Sequence, residues 1–202
     1  MPFANRSEFL EAVARDLGDP DAAIWTADEL SRHLDHALAA LADAAGAEAS
    51  QDIPTTGCDN YDLTAYSEIR TVLAVEWPLD QQPPAHLRFH VWAGEMRLLN
   101  AVPPAGQTLR LHYRKAFTVD DEGSNVPANL EEVAVLGARG YALLQQAART
   151  IGTVNVDSWV SRRYELQGER TLEHFHKVLT ALSKAREDPP SRPGQTNWYS
   201  AV

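Results

Sequence analysis

The stretch from Val126 to Gly152, VPANLEEVAVLGARGYALLQQAARTIG, constrains this chain most, because it keeps a helical period throughout while its middle is built from small residues. Leu130, Val133, Gly137, Tyr141, Leu144, Ala148 and Ile151 recur at three- and four-residue steps and so share one stripe of a helix. Pro127 suits a helix start, since its ring fixes φ and its missing N–H is not needed there. Asn129 followed three residues later by Glu132 reads as a cap with a returning carboxylate. Ala134, Gly137, Ala138 and Gly140 occupy the middle, although each glycine costs roughly 1 kcal/mol against alanine in helix propensity. Small residues kept at that cost predict a close neighbour. It is either another helix of the same core, or a ligand or a second subunit, and the last of these makes Ala134, Gly137, Ala138 and Gly140 a subunit interface.

The flanking segments say what the helix packs against. Ser7 to Leu17 places Phe9, Leu10, Val13, Ala14 and Leu17 at helical steps and ends in Gly18-Asp19-Pro20. Thr26 with Glu29 forms a capping-box pattern ahead of Leu30, Leu34, Ala37, Leu38 and Leu41, and Trp25 stands where it can staple onto Leu30. Residues 42 to 56 are small and polar and read as a boundary closed by Pro54 and Gly57. The period then changes. Glu68 to Trp77, Leu87 to Trp92, Glu95 to Asn100 and Thr108 to Lys115 alternate like strands, with Ala93-Gly94 as a hairpin turn. A final helix from about Ser158 to Lys184 follows, with Gly168 as a possible kink, and then the proline-rich EDPPSRPGQTNWYSAV. The expected fold class is α+β: a discontinuous α-helical bundle from residues 1–57 and 120–186, an inserted small antiparallel β-domain over 58–119, and an extended C-terminal tail over 187–202. In isolation that tail should lack a fold of its own.

Charge and composition remove several function classes. A net charge of −10 over 202 residues argues against a protein that grips nucleic acid by neutralising phosphates. No apolar run approaches the roughly 18 to 20 residues that span a bilayer. The opening MPFANRSEFLEA has neither a basic start nor an apolar core, so secretion and membrane insertion are not expected. Cys58 is the only cysteine, which excludes an intramolecular disulfide and fits synthesis in a reducing cytoplasm.

The search for catalytic chemistry is almost empty. The pairs His33/His36, His86/His90 and His174/His176 have spacings that invite a metal, yet none has a second ligand motif at fitting distance. A small metal-dependent enzyme using His33 and His36 is the first alternative reading, and a cellular binding module using the β-domain is the second. G-x-S-x-G, P-loop, G-x-G-x-x-G and H-E-x-x-H patterns are missing from the sequence. Asp120, Asp121, Glu122, Glu131 and Glu132 border a turn and a helix start, where acids usually serve as a solvated cap. Arg110, Arg114 and Lys115 on one strand, and Arg162 and Arg163 near the start of the last helix, are the basic clusters. They read as a solvated face or as contacts with acidic partners.

The order of the pieces carries a resemblance. WTADELSRHLDHALAALA, YDLTAYSEIRTVLAVEWP, LRLHYRKAFTV, VPANLEEVAVLGARGYALLQQAA and LEHFHKVLTAL together resemble the head-to-tail adaptor proteins of tailed bacteriophages, also called connector or neck proteins, including the tail tubular protein A group. The resemblance runs from Trp25 to Leu182 and rests on the order and spacing of elements rather than on a catalytic motif. It implies a structural protein without chemistry or cofactor. It further implies a homo-oligomeric ring, usually dodecameric, that docks below the portal protein after DNA packaging and offers a platform for the tail or a tail-completion protein. DNA would pass through the lumen without specific binding, no membrane would be involved, and the protein would be made in the host cytoplasm and end in the virion neck. On that reading Arg162, Arg163, Trp198 and Tyr199 are candidate contacts with the portal or a neighbouring subunit.

Overall fold

A computed structural model describes residues 3–151 and 158–187. Helices α1 (Arg6–Leu17) and α2 (Ala27–Ala45) come first, then strands β1 (Glu48–Pro54), β2 (Asn60–Asp62), β3 (Ile69–Glu76), β4 (His86–Leu87), β5 (Phe89–Trp92), β6 (Glu95–Leu98) and β7 (Thr108–Lys115), and finally α3 (Glu131–Ile151) and α4 (Ser158–Glu187). The class is α+β, with helices from both ends of the chain around one core and antiparallel sheets between them.

Local chemistry accounts for the helix ends. Asn5 caps α1 by accepting from the Glu8 N–H, and Gly18 closes it in the left-handed region at φ 74°. At α2 both halves of the capping box form: the Thr26 side chain accepts from the Glu29 N–H, and the Glu29 carboxylate accepts from the Thr26 N–H. Between these helices the buried Asp19 carboxylate accepts backbone N–H groups from Ala23, Ile24 and Trp25 at 2.8, 2.8 and 3.0 Å. That loop drives Trp25 into the core, where its indole N–H donates to the Ala142 carbonyl at 3.2 Å and its ring meets Tyr164 edge-on. The core is completed by Phe9, Val13, Leu30, Leu34, Leu38, Leu41, Leu130, Ala134, Leu172 and Phe175. Helix α3 starts at Glu131, four residues beyond Pro127, after a turn closed by the Leu130 N–H on the Pro127 carbonyl.

Among the described residues seven strands form two sheets, with orders β1-β7-β3-β4 and β2-β6-β5, over a second core of Ile53, Tyr61, Leu63, Val75, Leu87, Met96, Leu98, Leu109, Leu111 and Tyr113. Two details differ from the sequence reading. Residues 48 to 54, taken as part of a polar boundary, are strand β1, so the sheet begins before Cys58. Only Ile53 of β1 is buried, because β1 is an edge strand held by backbone pairing to β7 and by Asp52 opposite Arg110. The run Leu87 to Trp92 is also not one strand: β4 joins the larger sheet and β5 the smaller. In β3 two register shifts, at Ile69/Thr71 and Val72/Ala74, interrupt the alternation expected from Ile69 to Trp77. The hairpin at Ala93-Gly94 forms with both residues at positive φ, 51° and 83°.

Bundle and sheet meet where the chain crosses between them. The Lys115 N–H donates to the Ala47 carbonyl at 2.9 Å, so the outgoing and returning segments lie side by side. A Cβ at Gly46 would stand 2.5 Å from the Ala42 oxygen and 2.7 Å from the Lys115 oxygen, and both are backbone atoms. Arg70 grips Asp43 through two hydrogen bonds of 2.9 Å, Arg114 donates to the Asp43 carbonyl, and Arg186 of α4 pairs with Glu48 of β1.

Candidate functional site

The small-residue helix is the first candidate. A Cβ at Gly137 would lie 2.8 Å from the Ala37 Cβ and 2.8 Å from the Phe175 ring, and one at Gly140 would lie 2.7 Å from a Leu172 methyl. On the facing helix, a Cβ at Gly168 would lie 2.8 Å from Leu144. Ala134 and Ala138 are fully buried. The close neighbours are therefore α2 and α4 of the same chain, and that contact excludes the four residues from a surface. This corrects the assignment of Ala134, Gly137, Ala138 and Gly140 to a subunit interface: their smallness lets α3 and α4 touch almost backbone to backbone within one core. Helix α4 runs unbroken through Gly168, which sits in that seam against Leu144.

The exposed surface of α4 is the stronger candidate. Its inner stripe of Ser161, Gly168, Leu172 and Phe175 is buried, while Trp159, Arg163, Leu166, Arg170 and His174 recur at steps of three and four on another face. With Leu136 of α3 they line an open groove of about 610 Å³. Trp159 is 65% exposed and Leu166 37% exposed, so the groove presents apolar surface beside Arg163 and Arg170. Arg162 is spent on Glu165 at 3.2 Å, whereas Arg163 and Arg170 form no ion pair among the described residues. Of the predicted contacts, Arg163 lines the groove and Arg162 lies beside it; Trp198 and Tyr199 lie outside the described residues. In the sequence Trp159 and Leu166 stand at helical spacing and look like any other apolar positions of the last helix. The arginines interleaved with them on one face are the signal that separates this stripe from a core stripe.

The remaining sequence candidates are absorbed by structural roles. His33 is half-buried against Gln145, and burial pushes its imidazole below the ordinary value while that hydrogen bond works the other way. His36 stacks on Tyr141 with ring centroids 4.5 Å apart. Among the described residues no group of three or more His, Cys, Asp or Glu could hold a metal ion. Arg110 pairs with Asp52 and Lys115 with Glu68, while Arg114 donates to the uncharged Asp43 carbonyl, so two of the three charges are paired within the chain. Glu131, read as part of a solvated cap, is buried and accepts from the Phe3 N–H at 2.9 Å, tying the N-terminal segment to α3. Among the described residues no helix is long and apolar enough to cross a membrane.

The geometry is that of a scaffold with a basic-apolar outer face and two well-packed cores, and comparison with known proteins agrees. No curated protein matches the chain. The family model described as SU10 adaptor protein matches residues 4–193, which takes in the four helices and seven strands of the described residues. That family consists of structural phage adaptors and is not an enzyme family, and the resemblance seen over Trp25 to Leu182 points the same way. A bundle shared by both chain ends, an inserted sheet and a match over nearly the whole length together make this chain a member of the SU10 adaptor protein family, a structural adaptor of the phage virion.

Proposed function

We propose that the protein forms a closed ring of identical subunits, dodecameric in the complete particle, seated between the portal and the tail of a tailed phage, with DNA passing through its lumen. The family match over residues 4–193 is the observation that carries this reading. Two physical features support it. The α4 groove offers one exposed face through which copies can join head to tail, and such contacts close into rings when the rotation allows. The net charge of −10 favours a lumen that is acidic or neutral, so that DNA slides rather than binds.

In the same reading the tail from Glu187 to Val202 anchors the ring to the portal or to a neighbouring subunit, with Trp198 and Tyr199 as its buried contacts. A proline-rich segment supplies reach, and two aromatic side chains bury a large area at a modest ordering cost. The test is electron cryo-microscopy of the purified protein with its portal, combined with co-sedimentation of a variant lacking residues 189–202. A protein that remains monomeric alone and on the portal refutes the ring. Unchanged docking by the truncated variant, and by one with Trp198 and Tyr199 changed to alanine, refutes the anchor. Tight, salt-sensitive DNA binding by the assembled protein refutes the sliding lumen.

A further inference from the structure

The α1 flank is acidic, whereas the groove on α4 is lined by Arg163 and Arg170 and by no acid, with Glu169 and Glu173 exposed elsewhere on that helix. Along the exposed side of α1 stand Glu8, Glu11 and Asp16, and the Arg6 N–H holds the Asp120 carbonyl at 2.8 Å, which brings exposed Asp121 and Glu122 to the same end. Arg15 is the exposed cation among them. On α4 the exposed groove presents Arg163 and Arg170 with Trp159, Leu166 and Leu136. These flanks face away from each other. On α3, Glu131 holds Phe3 just ahead of α1, and Gly140 meets Leu172 of α4. Nine residues separate Glu131 from Gly140, which at about 100° per residue puts them on opposite faces of α3. The helices α1 and α4 therefore pack on α3 from opposite sides.

We infer that the α4 groove is the docking surface for a second copy of this chain, and that the acidic α1 flank of that copy is what fills it. The inference rests on the ring reading, and it names the two faces that meet. Charge complementarity selects the occupant: a basic-apolar groove on a strongly acidic protein is matched by the acidic flank of the same protein, and in a head-to-tail contact each copy uses one flank of each kind. Trp and Arg are the residue types that most often carry the energy of such contacts, and here Trp159, Arg163 and Arg170 share one exposed stripe. The groove is open at the surface, so an approaching helix can lay its side chains along it without rearranging α4.

The test is a charge swap, read by sedimentation velocity over rising protein concentration and by docking to the portal. Arg163→Glu with Arg170→Glu should weaken self-association by at least about tenfold, as should Glu8→Lys with Glu11→Lys. Uniting all four changes in one chain should restore most of the loss, because each reversed flank again meets its complement. Circular dichroism and thermal melting check that each variant keeps its fold; the restored four-fold variant cannot be explained by misfolding. If the native protein assembles and both reversals assemble equally well, the faces are wrong and the ring stands. Loss of portal docking with self-association unchanged assigns the groove to the portal and likewise overturns the inference. A native protein that stays monomeric alone and on the portal overturns both.

Discussion

Replacing Gly137 by alanine sets two opposed magnitudes against each other. In an exposed helix the change would stabilise by roughly 1 kcal/mol, through helix propensity alone. At Gly137 the new methyl would stand 2.8 Å from both Ala37 and the Phe175 ring, and neither yields easily. Ala37 is fixed to the α2 backbone, and Phe175 is fully buried with its ring edge-on to Tyr141. Overpacking of this kind costs typically about 1–3 kcal/mol. The expected net effect is a loss of about 1 kcal/mol, give or take a similar amount, so the sign alone is a weak criterion. A double-mutant cycle is sharper. In a Phe175→Leu background the ring is gone, and Gly137→Ala should cost about 1 kcal/mol less than in the native background. Urea unfolding followed by far-ultraviolet circular dichroism gives the midpoints, with unchanged m-values as the check on two-state behaviour. Gly137→Ala stabilising by the full propensity gain, with no coupling to Phe175, would refute the reasoning and reopen α3 as an exposed contact.

Other expectations follow from single contacts. Asp19→Asn should destabilise by about 1–3 kcal/mol at neutral pH, since the carboxylate accepts three backbone N–H groups around Trp25. Burial raises the Asp19 carboxyl, yet those three hydrogen bonds outweigh it and hold it below the ordinary value. The stability it contributes is therefore present above the unfolded value of about 4 and lost as pH falls through the lower folded value, so acid titration of native and Asp19→Asn proteins should converge. The Tyr113 hydroxyl is pushed up to about 12 by burial and by its hydrogen bond to Glu68, so it stays neutral in the fold when the unfolded chain would ionise near 10.0. Stability should fall as pH rises between those values, and Tyr113→Phe should flatten that part of the melting profile. Thr26→Ala removes the cap side chain of α2 and should cost about 1 kcal/mol, measurable as a lower urea midpoint.

The fold was legible where side chains announce their own backbone. Thr26 and Glu29 gave the start of α2, the Ala93-Gly94 turn gave its hairpin, and Thr108 to Lys115 matched β7 residue for residue. Strand β1 was not legible, because EASQDIP lies at an edge with one buried side chain and no β-branched run to mark it. The division of His86 to Trp92 between two sheets depends on contacts far away in sequence, which a local pattern cannot carry. Among candidate contacts, Arg163 was legible as a charge near the last helix's start. The glycine helix misled because smallness reports a close neighbour without saying whose it is. Trp159 and Leu166 were hidden by the opposite error: at helical spacing an exposed apolar stripe reads like a buried one.

The side-by-side crossing at Ala47 and Lys115 has a consequence for how such a chain can be rebuilt. Because the path leaves the bundle and re-enters it at adjoining points, the sheet is attached through a narrow base, as a loop is. What α2 and α3 require of the intervening sequence is that its two ends meet there. A sheet of different size, or a short linker spanning the same gap, can meet that requirement at the loss of the Arg70–Asp43 and Arg186–Glu48 pairs. Grafting therefore becomes practical: the strands can be exchanged for those of another adaptor, or for a reporter domain with neighbouring termini, while the helices keep their register. Gly46 marks the hinge such a graft must retain, since a side chain there would force the outgoing strand away from the returning one.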